Sequence, residues 1–399
     1  MPFQINNNII QKNNQKQPCH ILYNKFMEKY KISIVFGTRP EVIKLAPLIK
    51  ELKSYKKINC NVCTTGQHKQ MLEQTLRIFD ITPDVNLNVM KKNQSLSILT
   101  SNILTKIEKY IKKEKPQLII VHGDTTTALS ATLAAFYQQI PVAHVEAGLR
   151  THNLYSPWPE EANRIIIDKL CSIHFVPTEE NKNNLLKENI DPHSIFITGN
   201  TVVDAILWAK KEIKNKNKLT LPNLYPDIYS CSQEIILITG HRRENFGSGF
   251  EKICRAISRL ATKYTNILFV YPVHLNPNVS TIVHRMLGNY KNIRLISPLQ
   301  YLDFVYLMNK SKIILTDSGG IQEEAPTLQK PVLLMRENTE RPESNILKVG
   351  TSSEKIIKEV DKLINNKEKE IKHKNPYGDG KASERIAKII NNYLKTMNR

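Results

Sequence analysis

No apolar run in the 399 residues approaches the roughly eighteen consecutive side chains that a membrane-spanning helix requires. The first thirty residues, opening MPFQINNNIIQKNNQKQPCH, also lack the hydrophobic segment of a secretory signal, so a cytoplasmic location is expected. Cysteine is scarce. The six present (Cys19, Cys60, Cys63, Cys171, Cys231 and Cys254) are spread too thinly for a disulfide framework. Cys60 and Cys63 form a CxxC, but no second pair and no histidines at ligand spacing follow it. The two are therefore read as ordinary strand residues, and no metal is assigned. Acidic residues are the minority, 37 against 57 Lys and Arg, for a net charge of +20. That excess suits nucleic acid or an anionic membrane. Yet the chain has no basic helix and no interleaved aromatics; its lysines are scattered through stretches such as KEIKNKNKL and NNKEKEIKHK. The charge is read as solvated surface, with no nucleic-acid partner.

What is present is enough apolar material, 41% of the residues, for two cores. From Lys31 onward, short β-branched runs alternate with longer helical patterns, the arrangement of βαβ units in parallel sheets. KISIVF (31–36) predicts a strand and PEVIKLAPLIKEL (40–52) a helix with Pro40 at its first position. QLIIVH, ATLAAFYQQ and PVAHVEA repeat that order as far as 147. After the polar stretch KNKNKLTLPNLYPDIYSCSQ a second series opens with EIILITG (234–240) and continues through NILFVYPVH, NIRLISPL, KIILTDSGG and PVLLMRE. The expected fold is α/β, with two Rossmann-like domains at 31–198 and 199–383. Residues 1–30, rich in Asn and Gln, are expected to be a disordered leader, and Met27 would make an ordinary start.

Ligands of doubly wound sheets sit at the carboxyl ends of strands. Four turns there carry chemistry: GTRPE (37–41), HGDTTT (122–127), TGHRREN (239–245) and TDSGGIQEE (316–324). In the last, Ser318, Gly319 and Gly320 let backbone N–H groups approach a phosphate, and Glu324 lies one helical turn further on, within reach of ribose hydroxyls. A strand–Gly–Gly–helix turn is also common as plain structure. Arg39 and the His241–Arg242–Arg243 turn add cationic donors, which favours a diphosphate between the domains. Asp124, Glu146 and Glu160 all fall at or after predicted strand ends of the first domain. Each alone suits a cap or an ion pair, and Asp124 is placed to cap the helix after it. Together they are harder to explain as structure, because anions beside anions repel unless a proton is being moved.

The segments GTRPEVIKLAPLIKEL, TGQH, VHGDTTTALSATLAAF, HVEAGLRT, SPWPEEANR, TGNTVVDA, TGHRREN, DSGGIQEEAP, TERPE and NPYGDGKA run in order from about Lys31 to the C-terminus. They resemble the bacterial non-hydrolysing UDP-N-acetylglucosamine 2-epimerase family. The resemblance implies the glycosyltransferase-B architecture: two Rossmann-like domains facing across a cleft, with a last helix (about 384–399) crossing back to the first. It also implies a UDP-sugar substrate, no metal or nicotinamide cofactor, and a homodimer. The implied reaction interconverts UDP-GlcNAc and UDP-ManNAc by anti elimination of UDP to 2-acetamidoglucal and re-addition, supplying ManNAc-type units for cell-surface polysaccharide. By position in the motifs, Asp124, Glu146 and Glu160 take the acid/base roles and His241 stabilises departing UDP. Arg39, Lys44, Ser318, Gly319, Gly320, Glu324 and Arg341 fall where the family binds nucleotide, and Phe304 near the uracil. Gln67, Gln70, Arg242 and His274 match positions at which many bacterial members hold a second UDP-GlcNAc as activator, while Asn93 stands where some have arginine.

Two features depart from the family pattern. Leu299 replaces a usual Gln near the base, and the loop after TERPE is shortened. Three other readings share the observations: a hydrolysing 2-epimerase releasing ManNAc and UDP, a glycosyltransferase of the same fold, and a basic binding protein with a vestigial nucleotide site. The glycosyltransferase would leave the carboxylate trio surplus.

Overall fold

The strands are β-branched and apolar along their whole length, as parallel strands covered on both faces must be. The computed structural model describes residues 29–66, 69–91, 94–215, 226–337, 339–341, 346–365 and 375–397. The expected leader (as far as residue 28), Gln67, Asn93 and residues 342–345 of the shortened loop lie outside them.

The first series runs β1 (Tyr30–Phe36), α1 (Arg39–Ser54), β2 (Ile58–Thr64), α2 (Lys69–Ile78), β3 (Val85–Asn86), α3 (Leu96–Glu114) and β4 (Leu118–His122). It continues with α4 (Thr126–Tyr137), β5 (Val142–Val145), α5 (Glu160–Leu170), β6 (Ile173–Val176), α6 (Glu179–Lys187) and β7 (Ile195–Ile197). These strands make a seven-stranded sheet ordered β3-β2-β1-β4-β5-β6-β7, every pair parallel. After α7 (Thr201–Asn215) and α8 (Pro226–Ser230) the second series follows: β8 (Glu234–Thr239), α9 (Ser248–Lys263), β9 (Ile267–Pro272), α10 (Pro277–Leu287), β10 (Ile293–Ile296) and α11 (Tyr301–Lys310). It ends with β11 (Ile313–Thr316), α12 (Gly319–Glu324), β12 (Val332–Leu334), β13 (Leu347–Lys348), α13 (Ser353–Asn365) and α14 (Ala382–Thr396). Its parallel sheet has six strands in the order β10-β9-β8-β11-β12-β13.

Each sheet is doubly wound, and in each the strand order reverses once, between β1 and β4 and between β8 and β11. The four turns singled out from the sequence are those leaving these four strands, so they sit where such sheets bind ligands. The two α/β domains form the glycosyltransferase-B architecture. Cys60 and Cys63, three apart on β2, face opposite sides of the sheet in separate cores, so the CxxC cannot converge on one ion. Burial pushes both thiols up to about 12.

One core cluster is shared by the two domains, joining Ile34, Leu45 and Leu48 to Leu237, Leu302 and Ile314 through α1, α7 and α11. An aromatic stack crosses between the domains there. Trp208 of α7 lies 4.4 Å from Phe79, whose ring is 5.7 Å from Tyr301 on α11, and Lys50 sits 4.7 Å above Trp208. Helix α14 buries Ile386, Ala387, Ile390 and Leu394 along one stripe and packs on α1 and α7. Its first turn is anchored by buried Asp204 of α7, which accepts from the amides of Ala382 (3.2 Å) and Ser383 (2.8 Å). Among the described residues, no helix is long and apolar enough to cross a membrane. Asp204→Ala should lower stability by about 1–2 kcal/mol through loss of this anchor. A urea midpoint unchanged from the parent would show that α14 docks by its apolar stripe alone.

Candidate active site

The two switch-point turns of the first sheet are tied together by one carboxylate. Glu41 accepts from the amides of Gly37 (3.0 Å) and Thr38 (2.7 Å) at the start of α1, and from the Thr125 hydroxyl (2.8 Å) at the start of α4. Thr125, and not Asp124, caps α4, its Oγ1 accepting from Ala128 N at 3.1 Å. That frees Asp124, whose carboxylate accepts both Nε (3.1 Å) and Nη2 (2.5 Å) of Arg164 on α5. Beneath the turn, the ring of fully buried His144 donates from Nε2 to Gly123 O (2.7 Å) and meets Asp168 through Nδ1 (2.6 Å). Burial opposes ionisation of Asp168, but His144 and Arg150 outweigh it and hold the carboxyl far below its ordinary range.

Glu146 follows β5 directly and takes φ +67°, a left-handed conformation that a side-chain-bearing residue adopts only when its surroundings demand it. Its Oε1 accepts from the Lys44 ammonium and from Asn200 Nδ2 (3.0 Å). Oε2 lies 3.6 Å from Nε2 of buried His122, which has no hydrogen-bond partner among the described residues. Burial would raise the Glu146 carboxyl; Lys44 and Arg341 outweigh it and keep the group ionised. His122 is pushed well below its usual value by burial and by Lys44, so its ring is neutral.

Glu160 opens α5, directly after the Pro157–Trp158–Pro159 segment. It is half-buried, and desolvation and then Asp124 raise its carboxyl against the pull of Arg242 and Arg164. Asp124 links the trio electrostatically, acting on both Glu146 and Glu160.

On the second sheet, fully buried Asp317 organises the turn after β8. It accepts from the amides of His241 and Arg242 and from Asn245 Nδ2, at 3.0–3.1 Å. His241 is left partly exposed, stacked on His274 at 5.5 Å. Partial burial, with Arg242, His274 and Arg336, lowers its pKa although Asp317 pulls the other way. Ser318 precedes α12, and charged groups crowd Gly319: a Cβ there would lie 2.9 Å from Arg341 Nη1, 3.1 Å from Glu340 Oε1 and 3.3 Å from Arg242 Nη2. Gly320 is open. Arg341 pairs with Glu323 and Glu340, and Glu323 in turn lies 2.6 Å from Lys44. Arg39 reaches across the cleft to the carbonyl of Leu299 (3.2 Å), whose side chain is buried in the shared core. Phe304 packs against that core. Burial raises the Glu324 carboxyl to about 7, opposed by Lys44 and Arg39.

The structure therefore brings together Asp124, Glu146, Glu160 and Lys44 from one domain with Arg242, Glu324 and Arg341 from the other. Of the activator positions, His274 lies against His241, and Gln70 is on α2. Sequence reasoning missed Glu323, Asp317, Asn200 and His122. All four lie inside quoted motifs, which is the signal that could have found them. Among the described residues no three His, Cys, Asp or Glu side chains are grouped to hold a metal.

Two parallel doubly wound domains, with carboxylates on one lip and arginines around a glycine turn on the other, define a nucleotide-sugar class of α/β protein. The model of the family described as UDP-N-acetylglucosamine 2-epimerase matches residues 50–391. The UDP-N-acetylglucosamine 2-epimerase of Campylobacter jejuni is 53% identical over 371 residues, 90% of this chain and 97% of that protein. That of Escherichia coli K12 is 51% identical over 371 residues, covering 91% and 98%. The crystal structure of UDP-GlcNAc 2-epimerase from Neisseria meningitidis bound to UDP-GlcNAc superposes with a TM-score of 0.85 at 48% identity, covering 91% of this chain and all of that one. This chain belongs to the UDP-N-acetylglucosamine 2-epimerase family.

The Glu324 carboxyl gives a pH test. Its folded pKa of about 7 stands above the ordinary 4.5, so the folded state holds this proton more firmly than the unfolded chain. The stability it contributes is complete below about pH 4.5 and lost as pH rises through about 7. Between about pH 5 and about pH 8, Glu324→Gln should gain about 2 kcal/mol relative to the parent. Parallel stability curves for the two proteins in urea titrations would contradict the assignment.

Proposed function

We propose that the protein interconverts UDP-GlcNAc and UDP-ManNAc by eliminating UDP to 2-acetamidoglucal and adding it back. The observation that carries this reading is the opposition of Asp124, Glu146 and Glu160 to the cations around Gly319. C2–H of the sugar is not next to a carbonyl, so its proton leaves only as the C1–O bond breaks and positive charge grows on the ring. Carboxylates then serve as bases and as partners for that charge. Two groups are needed to exchange a proton on both faces of C2, and their environments push two pKa values apart. Glu146, held ionised, is suited to take the proton; Glu160, with its pKa raised, is suited to return one. In the reverse direction the roles exchange.

The diphosphate falls to Arg39, Arg341 and the Ser318–Gly320 turn, the ribose to Glu324 and the base to the neighbourhood of Phe304. His241, its backbone fixed by Asp317, donates to the leaving phosphate. We also propose a cytoplasmic homodimer. The exposed Ile98, Phe136, Tyr137 and Ile166 on the adjoining helices α3, α4 and α5 support an apolar partner face, and a monomer by light scattering would refute it.

In deuterium oxide both UDP-sugars should acquire deuterium at C2, followed by NMR. Epimerisation with protium retained would point to a single shielded base, and free ManNAc as the main product would point to the hydrolysing reaction. Glu146→Gln should cut turnover roughly 10²-fold or more with little change in UDP affinity, whereas His241→Asn should slow elimination and weaken UDP binding together. Near-native turnover of Glu146→Gln would reduce that carboxylate to a structural one.

A further inference from the structure

Glu323 is fully buried, on the short helix α12. One oxygen accepts from Arg341 Nε at 2.5 Å; the other lies 2.6 Å from the ammonium of Lys44, which reaches over from α1 of the opposite domain. The same Lys44 serves Glu146, and the same Arg341 serves Glu340. Glu340 also pairs with Arg336, so the carboxylates Glu146, Glu323 and Glu340 are interleaved with Lys44, Arg341 and Arg336, and the neighbours that complete the surroundings are Arg242, neutral His122 at the end of β4 and Glu324 beside Glu323 on α12. A diphosphate entering beside Gly319 meets Arg341 already engaged, and the site's existing anions repel it.

We infer that Glu323 is a counter-anion built into the empty cleft, displaced from Lys44 and Arg341 by the incoming diphosphate and taking up one proton from solvent as it is displaced. The inference rests on the UDP-sugar reading above. A carboxylate stripped of both cations, enclosed, and facing Glu146, Glu324 and a diphosphate cannot stay ionised at modest cost. Burial and the charge of Glu146 already favour its protonated form, against Arg341 and Lys44. The exchange has a mechanistic consequence. As Lys44 turns to the phosphate, Glu146 loses the ammonium that holds it ionised and becomes a stronger base, so basicity appears only when there is substrate to act on.

The test is calorimetric titration of the full chain with UDP at about pH 8, where the terminal phosphate of UDP is already ionised, in buffers of differing ionisation enthalpy. The parent should take up about one proton per UDP bound, and its affinity should fall by up to about tenfold per pH unit above neutrality. Glu323→Gln, which cannot bind that proton, should bind UDP with almost no uptake, with a flat pH dependence, and more tightly than the parent at about pH 8. Glu323→Asp should restore the uptake, which a merely structural role would not require. Binding by the parent without proton uptake would overturn the inference while leaving the UDP-sugar reading intact. Uptake unchanged in Glu323→Gln but lost in Glu146→Gln would overturn it by moving the proton to the other carboxylate. No UDP binding by the parent would sink both readings.

Discussion

The buried ammonium of Lys44 needs two carboxylates, and they come from different sheets. Enclosing a charge is costly unless partners close around it, so the second turn of α1, the end of β5 and the helix after β11 have to converge on one point. Much of the local geometry follows from that requirement. Glu146 adopts a left-handed backbone to present its carboxylate, Asn200 supplies that carboxylate with a further donor, and Glu323 links Lys44 to Arg341. On the other side of the interface the Trp208–Phe79–Tyr301 stack supplies apolar area to the same closure. The aromatic side contributes adhesion, and the ionic side contributes register.

The same interaction sets the chemistry. Carboxylates in a shared cleft would normally rise together in pKa, and a site of that kind could not keep an acid and a base at one pH. Here unequal distribution of cations separates them: Lys44 and Arg341 hold Glu146 down, while Glu160, half-buried and next to Asp124, is raised. Asp124 is itself clamped by Arg164 and acts on both neighbours. On the facing domain a carboxylate serves a backbone purpose. Asp317 gathers the amides of the His241 turn and so places a neutral imidazole at the lip of the cleft without spending its own charge on a ligand.

Much of this was legible because doubly wound sheets put function at strand ends, and strand ends can be read from where β-branched runs stop. Strand β1, helix α1, the turn after β4 and the turn after β11 fall within a residue or a few of where the pattern placed them. Less legible were local choices between neighbours. Thr125 rather than Asp124 caps α4, because Arg164, 40 residues away, claims the aspartate. Glu160 begins a helix whose N-cap is Pro159, with no capping side chain to mark the start. Glu323 stood in a quoted motif beside Glu324 with nothing to distinguish the two, since its partners Lys44 and Arg341 lie far off along the chain.

Taken alone, the sequence determined the class of fold, the two-domain division of strands and the segments that meet at the cleft, because periodicity and turn chemistry are local properties of the backbone. It also determined the family, because ordered motifs along nearly the whole chain carry that information without any knowledge of contacts. Only the tertiary structure decided which carboxylate is ionised, which cation each one shares and which acidic residue spans the cleft. Those outcomes depend on burial and on distances between groups brought together from hundreds of residues apart, and electrostatic energy is a function of distance in space, not of position along the chain.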